Sequence, residues 1–443
     1  MPEFLTIPDS DCYWLRNGRV PAPLLNPEVA LIPGRHLVGA SSQEELVPVD
    51  IEIRGGAIGR IVAAGDSAAL DAYIDLDQGL VWPCFVDMHT HLDKGHVWPR
   101  RPNPDGSFSA ALEAVGQDHD CWTPEELYHR MEFGLRCSYA HGTRALRTHL
   151  DCFAPLAQTS FEVFDQLRRR WANRISLQAV CLVSLDYFLT ADGDTLAALV
   201  AEFGGVLGGV AYMNPDLDRQ LDRVFTLAQR YGLDLDFHTD ESLNPEDITL
   251  RHVAAAALRH GFTGQITCGH CCSLSVQSPE TIESTLKLVA AAPIGIVSLP
   301  LCNLYLQHRR GGQTPRYRGV TLLQELHRRG IPAAIASDNC RDPFYAYGDH
   351  DGLEVFEQAV RIGHLDHLFD HWPRSITSRP ARLMGLDPAA ALIGPGASAD
   401  LICFQARSLN ELLSRSQHNR VVIRQGRQID TTLPDYRELD RWL

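Results

Sequence analysis

The sequence predicts an α/β chain: a (β/α)8 barrel of the TIM kind, with a small β-sandwich domain built from both chain ends. Three observations predict it. Strand-like apolar runs alternate eight times with helix-periodic segments between about residues 81 and 362, which implies a closed parallel sheet. Residues 48–80 and 397–429 alternate instead in short β-like pieces broken by glycine turns. Four of the eight strand-like runs end at or run into His or Asp, at the barrel face where catalytic groups gather.

The eight runs are Val81–Met88, Arg144–Leu150, Ile175–Val183, Gly205–Met213, Leu233–His238, Gln265–His270, Ile294–Leu301 and Ile331–Asp338. The first helix starts at Thr123-Pro124-Glu125-Glu126: a capping hydroxyl, proline in the first turn, and acids at the positive end of the dipole. Leu127, Met131 and Leu135 follow at helical spacing, and Gly142 stops the helix. Helical patterns recur at Phe161–Trp171, Thr195–Phe203, Arg219–Tyr231, Thr249–His260, Ile282–Ala292 and Thr321–Arg329. Ala346-Tyr-Gly with Gly352–Ile362 supplies the last helix. Arg230-Tyr-Gly, Arg259-His-Gly and Arg328-Arg-Gly each put a basic residue and then glycine at a helix end, a stop device with no binding role. At the ends, Val49-Asp-Ile-Glu-Ile and Ile58-Gly-Arg-Ile-Val face Ala399-Asp-Leu-Ile-Cys-Phe and Arg420-Val-Val-Ile-Arg-Gln-Gly as candidates for one β domain. The expected division is 1–83 and 386–443 for that domain and 84–385 for the barrel.

Of 443 residues, 45% are apolar and 21% charged, ordinary for a soluble enzyme. The net charge of −15 and the absence of a basic run argue against nucleic acid and anionic membrane as partners. The opening MPEFLTIPDSDCYW has no basic start and no apolar core, so no signal peptide is expected and a cytoplasmic location is. Leu288–Cys302, the longest apolar run, is too short to span a bilayer and carries Pro293 and Pro300. Twelve cysteines in such a chain are expected as free thiols, with Cys268 and Cys271 as packing residues. The expected partner is a small molecule; self-association stays open.

The chemistry lies at the strand ends. In His89-Thr90-His91, residues i and i+2 point to one side of a strand, so two imidazoles make half a transition-metal site. Asp236-Phe-His238-Thr-Asp240-Glu241 adds His238 as a third ligand, and Glu241 just beyond the strand leans over the mouth. Thr267-Cys-Gly-His270 and Ala336-Ser-Asp338-Asn339 end two further strands. Such side chains are costly in an interior unless bound or paired, so together they point to a metal centre. His149, in Thr148-His-Leu-Asp151, either joins this cluster or is structural. His129, His141, His260, His308, His327, His364 and His367 fall on helices or loops and are expected to be solvated.

These residues resemble the amidohydrolase superfamily, and within it the cytosine deaminase group. The likeness rests on Val86-Asp-Met-His-Thr-His-Leu-Asp93, His238-Thr-Asp-Glu241, Gly269-His270, Asn303-Leu-Tyr-Leu-Gln307 and Ser337-Asp338-Asn339-Cys-Arg-Asp-Pro-Phe-Tyr-Ala-Tyr-Gly348, in order from about residue 48 to 430. The chain is also similar to N-alkylammelide amidohydrolases. The resemblance implies one divalent ion, zinc or iron(II), on His89, His91, His238 and Asp338. It implies Glu241 as proton shuttle and His270 as the group that helps activate water and stabilise the intermediate. Two-metal relatives use a carboxylated lysine on strand four; the only lysines, Lys94 and Lys287, are not on that strand.

The implied activity is hydrolytic deamination of a small amino-substituted heterocycle, with release of ammonia. The metal makes water nucleophilic at neutral pH, Asp338 or His270 takes its proton, and Glu241 protonates the ring nitrogen and the leaving amine. In cytosine deaminases a Pro-Gln ends strand three; here the stretch is Val180-Cys-Leu-Val-Ser184-Leu185, with Ser184 the nearest polar substitute. Asn339 replaces an acid after the metal aspartate, and Phe344 stands where an aromatic wall is expected. A pocket so changed reads a different ring edge, and the substrate expected is a cytosine-like or related aminopyrimidine or similar heterocycle. Hydrolysis of an N-alkylamino-triazine or cyclic amide bond is the alternative. A non-catalytic metal-binding protein is disfavoured because every ligand and Glu241 are present. The H-x-E with P-C-x-x-C of the other zinc deaminases is absent.

Overall fold

The computed structural model describes residues 4–27, 29, 44–67, 72–292, 294–367, 371–415 and 419–443. Residues 1–3 and Pro293, used in the readings above, lie outside them. Two compact units divide the chain: Met1–Val86 with Ser138–Arg144 and Asp351–Leu433, and Asp87–Cys137 with Ala145–His350 and Pro434–Leu443.

In the first unit, β1 (Cys12–Pro21) is paired antiparallel to β2 (Leu46–Arg54) and parallel to β4 (Tyr73–Asp75), with β3 (Ala57–Ala63) outside β2. Strand β1 lies at the centre of this sheet, a part its sequence had not revealed. The second sheet of the sandwich mixes the chain ends, in the order β16-β15-β14-β5: β5 is Val81–Pro83, β14 Leu401–Phe404, β15 Arg420–Arg424 and β16 Arg427–Gln428. Leu401 stands opposite Pro83, and Ala57 bridges Ser398.

The barrel strands are β6 (Phe85–Thr90), β7 (Thr143–Asp151), β8 (Ser176–Leu182), β9 (Leu207–Val210), β10 (Leu235–Thr239), β11 (Ile266–His270), β12 (Gly295–Ser298) and β13 (Ala333–Ile335). Strands β6 to β8 form one parallel run and β9 to β13 another. Parallel bridges Val180–Val206 and Ser184–Val210 join the runs on one side, and Thr90–Asp338 closes the ring. Thr123 caps its helix as expected, its Oγ1 accepting the Glu126 N–H at 3.2 Å. Gly232, Gly261 and Gly330 all take left-handed backbone (φ 67, 55 and 68°), the conformation that ends a helix at little steric cost.

Several boundaries move. Strand seven stops at Ser298, because Pro300 opens a helix, Pro300–Leu306. Ala346-Tyr-Gly is not helical; the helix expected there is Gly352–Gly363 alone. The units also differ from the 1–83, 84–385 and 386–443 division. The Gly352–Gly363 helix groups with the β sheets, because Phe356 packs on Trp82 at 5.6 Å and its N-cap Asp351 pairs with Arg420 of β15. Residues 434–443 group with the barrel, because Leu439 packs on Phe133 and Cys137 and Glu438 pairs with Arg136. Among the described residues no helix is long and apolar enough to cross a membrane, and the cysteines are free, Cys268 and Cys271 being buried.

Candidate active site

The strand ends converge as the period-2 argument requires. His89 and His91 turn to one side of the β6 end, where their Nε2 atoms lie 3.6 and 3.2 Å from Asp338 Oδ1. Asp338 is held there by backbone: its N–H donates to His89 O at 2.8 Å, and its carbonyl accepts from Thr90 Oγ1 at 2.8 Å. The His238 ring, from β10, is centred 4.6 Å from that of His89. All four side chains are buried. Both nitrogens of His89, Nδ1 of His91, Nδ1 of His238 and both oxygens of Asp338 have no hydrogen-bond partner. A buried polar atom left so costs roughly 1–3 kcal/mol, and an ion among these side chains would engage one nitrogen of each ring together with the carboxylate. Burial, then the neighbouring rings, hold His89 well below the ordinary histidine value; burial does the same for His91 and His238. They are thus neutral, the form that ligates. Burial raises Asp338 to about 8, a direction that a nearby cation reverses. Three imidazoles and a carboxylate are a donor set that fits zinc or iron(II).

His149 also reaches this cluster. Its ring is 3.9 Å from that of His89, and His89, His149 and His238 offer nitrogens within 4.8 Å of one another. Its Nε2 is 3.2 Å from Asp236 Oδ1, and Asp236 in turn takes Arg147 Nη1 at 2.9 Å. Desolvation opposes ionisation of Asp236, but His149 and Arg147 outweigh it and lower its pKa. This carboxylate therefore fixes the His149 ring.

Glu241 Oε1 lies 3.3 Å from His270 Nδ1. Burial and the Asp338 charge push Glu241 well above the ordinary carboxylate value, which favours its acid form. Burial lowers His270 to about 3, and the Asn303 amide contacts its Nδ1 at 2.9 Å. Asp240 is differently used: its carboxylate accepts from the Thr249 hydroxyl at 2.7 Å and from the Leu250 N–H at 3.3 Å.

These groups open on a cavity of about 340 Å3, within the range of small-molecule sites, roughly 300–1,000 Å3. Its lining includes the polar His91, His238, Glu241, His270 and Asp338 and the apolar Phe108, Leu112, Val115, Phe153 and Leu182. The three expected substrate contacts all line it: Ser184, Asn339 and Phe344. The Asn339 amide is committed, donating to Asp342 Oδ2 at 2.7 Å. Sequence reasoning missed Lys94 and Asp151, which line the cavity 2.6 Å apart. Asp151 ends strand two, so the strand-end logic applied to the other ligands would have found it. Of the histidines expected in solvent, His141 pairs with Asp351 at 3.5 Å and His260 with Asp222 at 2.8 Å.

Comparison with known proteins decides the family. A profile described as "Amidohydrolase family" matches residues 183–430. The chain belongs to the amidohydrolase family. This amidohydrolase is 51% identical over 439 residues to a pterin deaminase of Rhizobium rhizogenes, covering 99% of this chain and 98% of the relative. It is 26% identical to an N-isopropylammelide isopropyl amidohydrolase of a Pseudomonas species, over 86% of this chain and 93% of that one. Among solved structures, 5-methylcytosine deaminase of Klebsiella pneumoniae with phosphonocytosine superposes with a TM-score of 0.79 at 24% identity, covering 94% and 97% of the two chains. N-isopropylammelide isopropylaminohydrolase of Burkholderia multivorans gives 0.73 at 21%, covering 95% and 98%. This amidohydrolase is a hydrolase of carbon–nitrogen bonds other than peptide bonds.

Proposed function

We propose that this amidohydrolase removes the exocyclic amine of a 2-amino-4-oxopteridine, a pterin, by hydrolysis. The observation that carries the reading is the Glu241–His270 pair, which lines one cavity together with Asp338 and a set of apolar and aromatic side chains. A cavity of about 340 Å3 with Phe108, Leu112 and Phe153 in its lining suits a fused bicyclic ring. The extensive identity to a pterin deaminase points the same way.

We assign His89, His91, His238 and Asp338 as the ligands of one divalent ion, zinc or iron(II). When bound, such an ion supplies the charge that makes water nucleophilic at neutral pH. The remaining steps belong to the chain. Water attacks the ring carbon that bears the amine, and a C–O bond forms. Asp338 suits the proton acceptor; His270, so weakly basic, suits a hydrogen bond from its ring to the developing oxygen centre. Glu241 enters protonated and gives its proton to the adjacent ring nitrogen. The proton held on Asp338 passes to the amine, the hydroxyl proton of the intermediate returns to Glu241 as the C=O bond forms, and the C–N bond breaks with loss of ammonia. Positioned acid–base groups of this kind contribute about 10²–10⁴-fold. Asn303 holds His270 in place, and Ser184 and Phe344 border the ring.

Purified enzyme of known metal content would be assayed on pterin, cytosine, isocytosine and N-isopropylammelide. We expect ammonia from pterin with the highest kcat/KM. Isopropylamine from the ammelide, with no turnover of pterin, would overturn the reading in favour of N-alkyl hydrolysis.

A further inference from the structure

A second group of metal-ligating side chains lies outside the cavity lining. We propose that His96, Cys340 and His350 form a further metal site, for a thiophilic divalent cation of the zinc type, that clips the segment after β6 to the segment after β13. The three residues are buried, and their ligand atoms lie within 4.8 Å of one another.

His96 is 1% exposed, yet neither of its ring nitrogens has a hydrogen-bond partner. Its neighbours are the Phe133 ring at 4.8 Å, the His350 ring at 5.6 Å and the Tyr436 ring at 6.3 Å. Leaving both polar atoms of a buried imidazole unmet is unfavourable, and a cation on one of them removes part of that cost. Burial and the positive charges of Arg341 and Arg130 keep His96 neutral, the ligating form. Burial and the Asp349 and Asp342 carboxylates push the Cys340 thiol well above its ordinary value, against a bond from the His350 backbone amide to the sulfur, so it is a bound cation that would make it a thiolate. The Asp349 carboxylate acts on Cys340 and bonds the Cys137 thiol, so negative charge is at hand to balance a dication.

The backbone holds these ligands in place. His96 N donates to Cys340 O at 3.0 Å, Trp98 N to Arg341 O at 2.8 Å, and Arg341 N to Tyr347 O at 3.0 Å. One sulfur and two imidazoles supply three ligands of the nitrogen and sulfur kind that zinc takes. The clip would join the two segments that follow His91 and Asp338 without touching substrate. It does not depend on the pterin reading.

The test uses the full chain produced in cobalt-supplemented medium, so that no metal need be stripped. We expect two cobalt equivalents per chain and a near-ultraviolet thiolate-to-cobalt charge-transfer band. Cys340→Ser should lose the band and one equivalent. Cys302→Ala should keep both, which excludes the thiol beside Asn339 as the source. One equivalent with no band in the unaltered protein overturns the proposal, and that measurement needs no variant to fold. A band that survives Cys340→Ser, or one lost in Cys302→Ala, overturns it as well.

Discussion

Lys94 Nζ lies 2.6 Å from Asp151 Oδ1 in the cavity wall, with side-chain exposures of 5% and 6%. The second Asp151 oxygen is 3.1 Å from His119 Nε2, and the Asp151 N–H donates to Asp93 Oδ2 at 2.7 Å. Desolvation alone would neutralise the lysine, but Asp151 and Asp93 outweigh it and raise its pKa. One of the two lysines in the chain is therefore a fixed cation on the substrate cavity.

Removing one partner of such a pair strands the other charge in a dry environment. Asp151→Asn should destabilise the protein by about 3–5 kcal/mol, and Lys94→Met with Asp151→Leu should recover most of the loss. Urea unfolding of the two variants and the parent checks this. A single variant within about 0.5 kcal/mol of the parent would show that the pair is effectively solvated.

Glu241→Gln keeps shape and hydrogen bonding but cannot titrate. Metal content and KM should hold while kcat falls by at least about 10²-fold. The pH dependence has a definite sign. Burial and Asp338 raise the Glu241 pKa, so the acid form persists below that value and is lost as pH rises through it. The parent should show a falling alkaline limb in kcat, and the residual rate of the variant should lack it. Near-normal turnover would mean another group moves the proton.

His91→Ala should lose metal and activity together, because its Nε2 and that of His89 converge on one Asp338 oxygen. Elemental analysis of the purified variant is the check. Full metal occupancy would remove His91 from the ligand set.

Asp351 and Arg420 make the corresponding test in the β unit. Desolvation opposes ionisation of Asp351, but Arg420 and His141 outweigh it and hold its pKa below the carboxylate range. A depressed folded pKa contributes stability that is complete above the unfolded value, about 3.9, and is lost as pH falls through the folded one. Asp351→Asn should therefore flatten the acid limb of stability, measured by urea midpoints from about pH 7 to about pH 3. An unchanged acid limb would show that other carboxylates govern it.

The barrel and its active face were legible because both rest on local periods. Alternation at two residues puts His89 and His91 on one side, and a helix-stop glycine needs only its own φ. His238, Glu241, His270 and Asp338 announce themselves as costly side chains at the ends of apolar strands. None of these readings needs a partner distant in the chain.

What the sequence by itself determined was the type of fold and the strand ends at which the candidate ligands stand. Tertiary structure alone decided which distant groups meet. Lys94 finds Asp151 fifty-seven residues away, and His96 meets Cys340 through segments from opposite ends of the barrel cycle. It also set strand β1 at the centre of its sheet and drew the Gly352–Gly363 helix to the β unit through Asp351 and Arg420. The physical reason is that periodicity reports which face of an element is buried, whereas ring closure and strand register determine what that face is buried against.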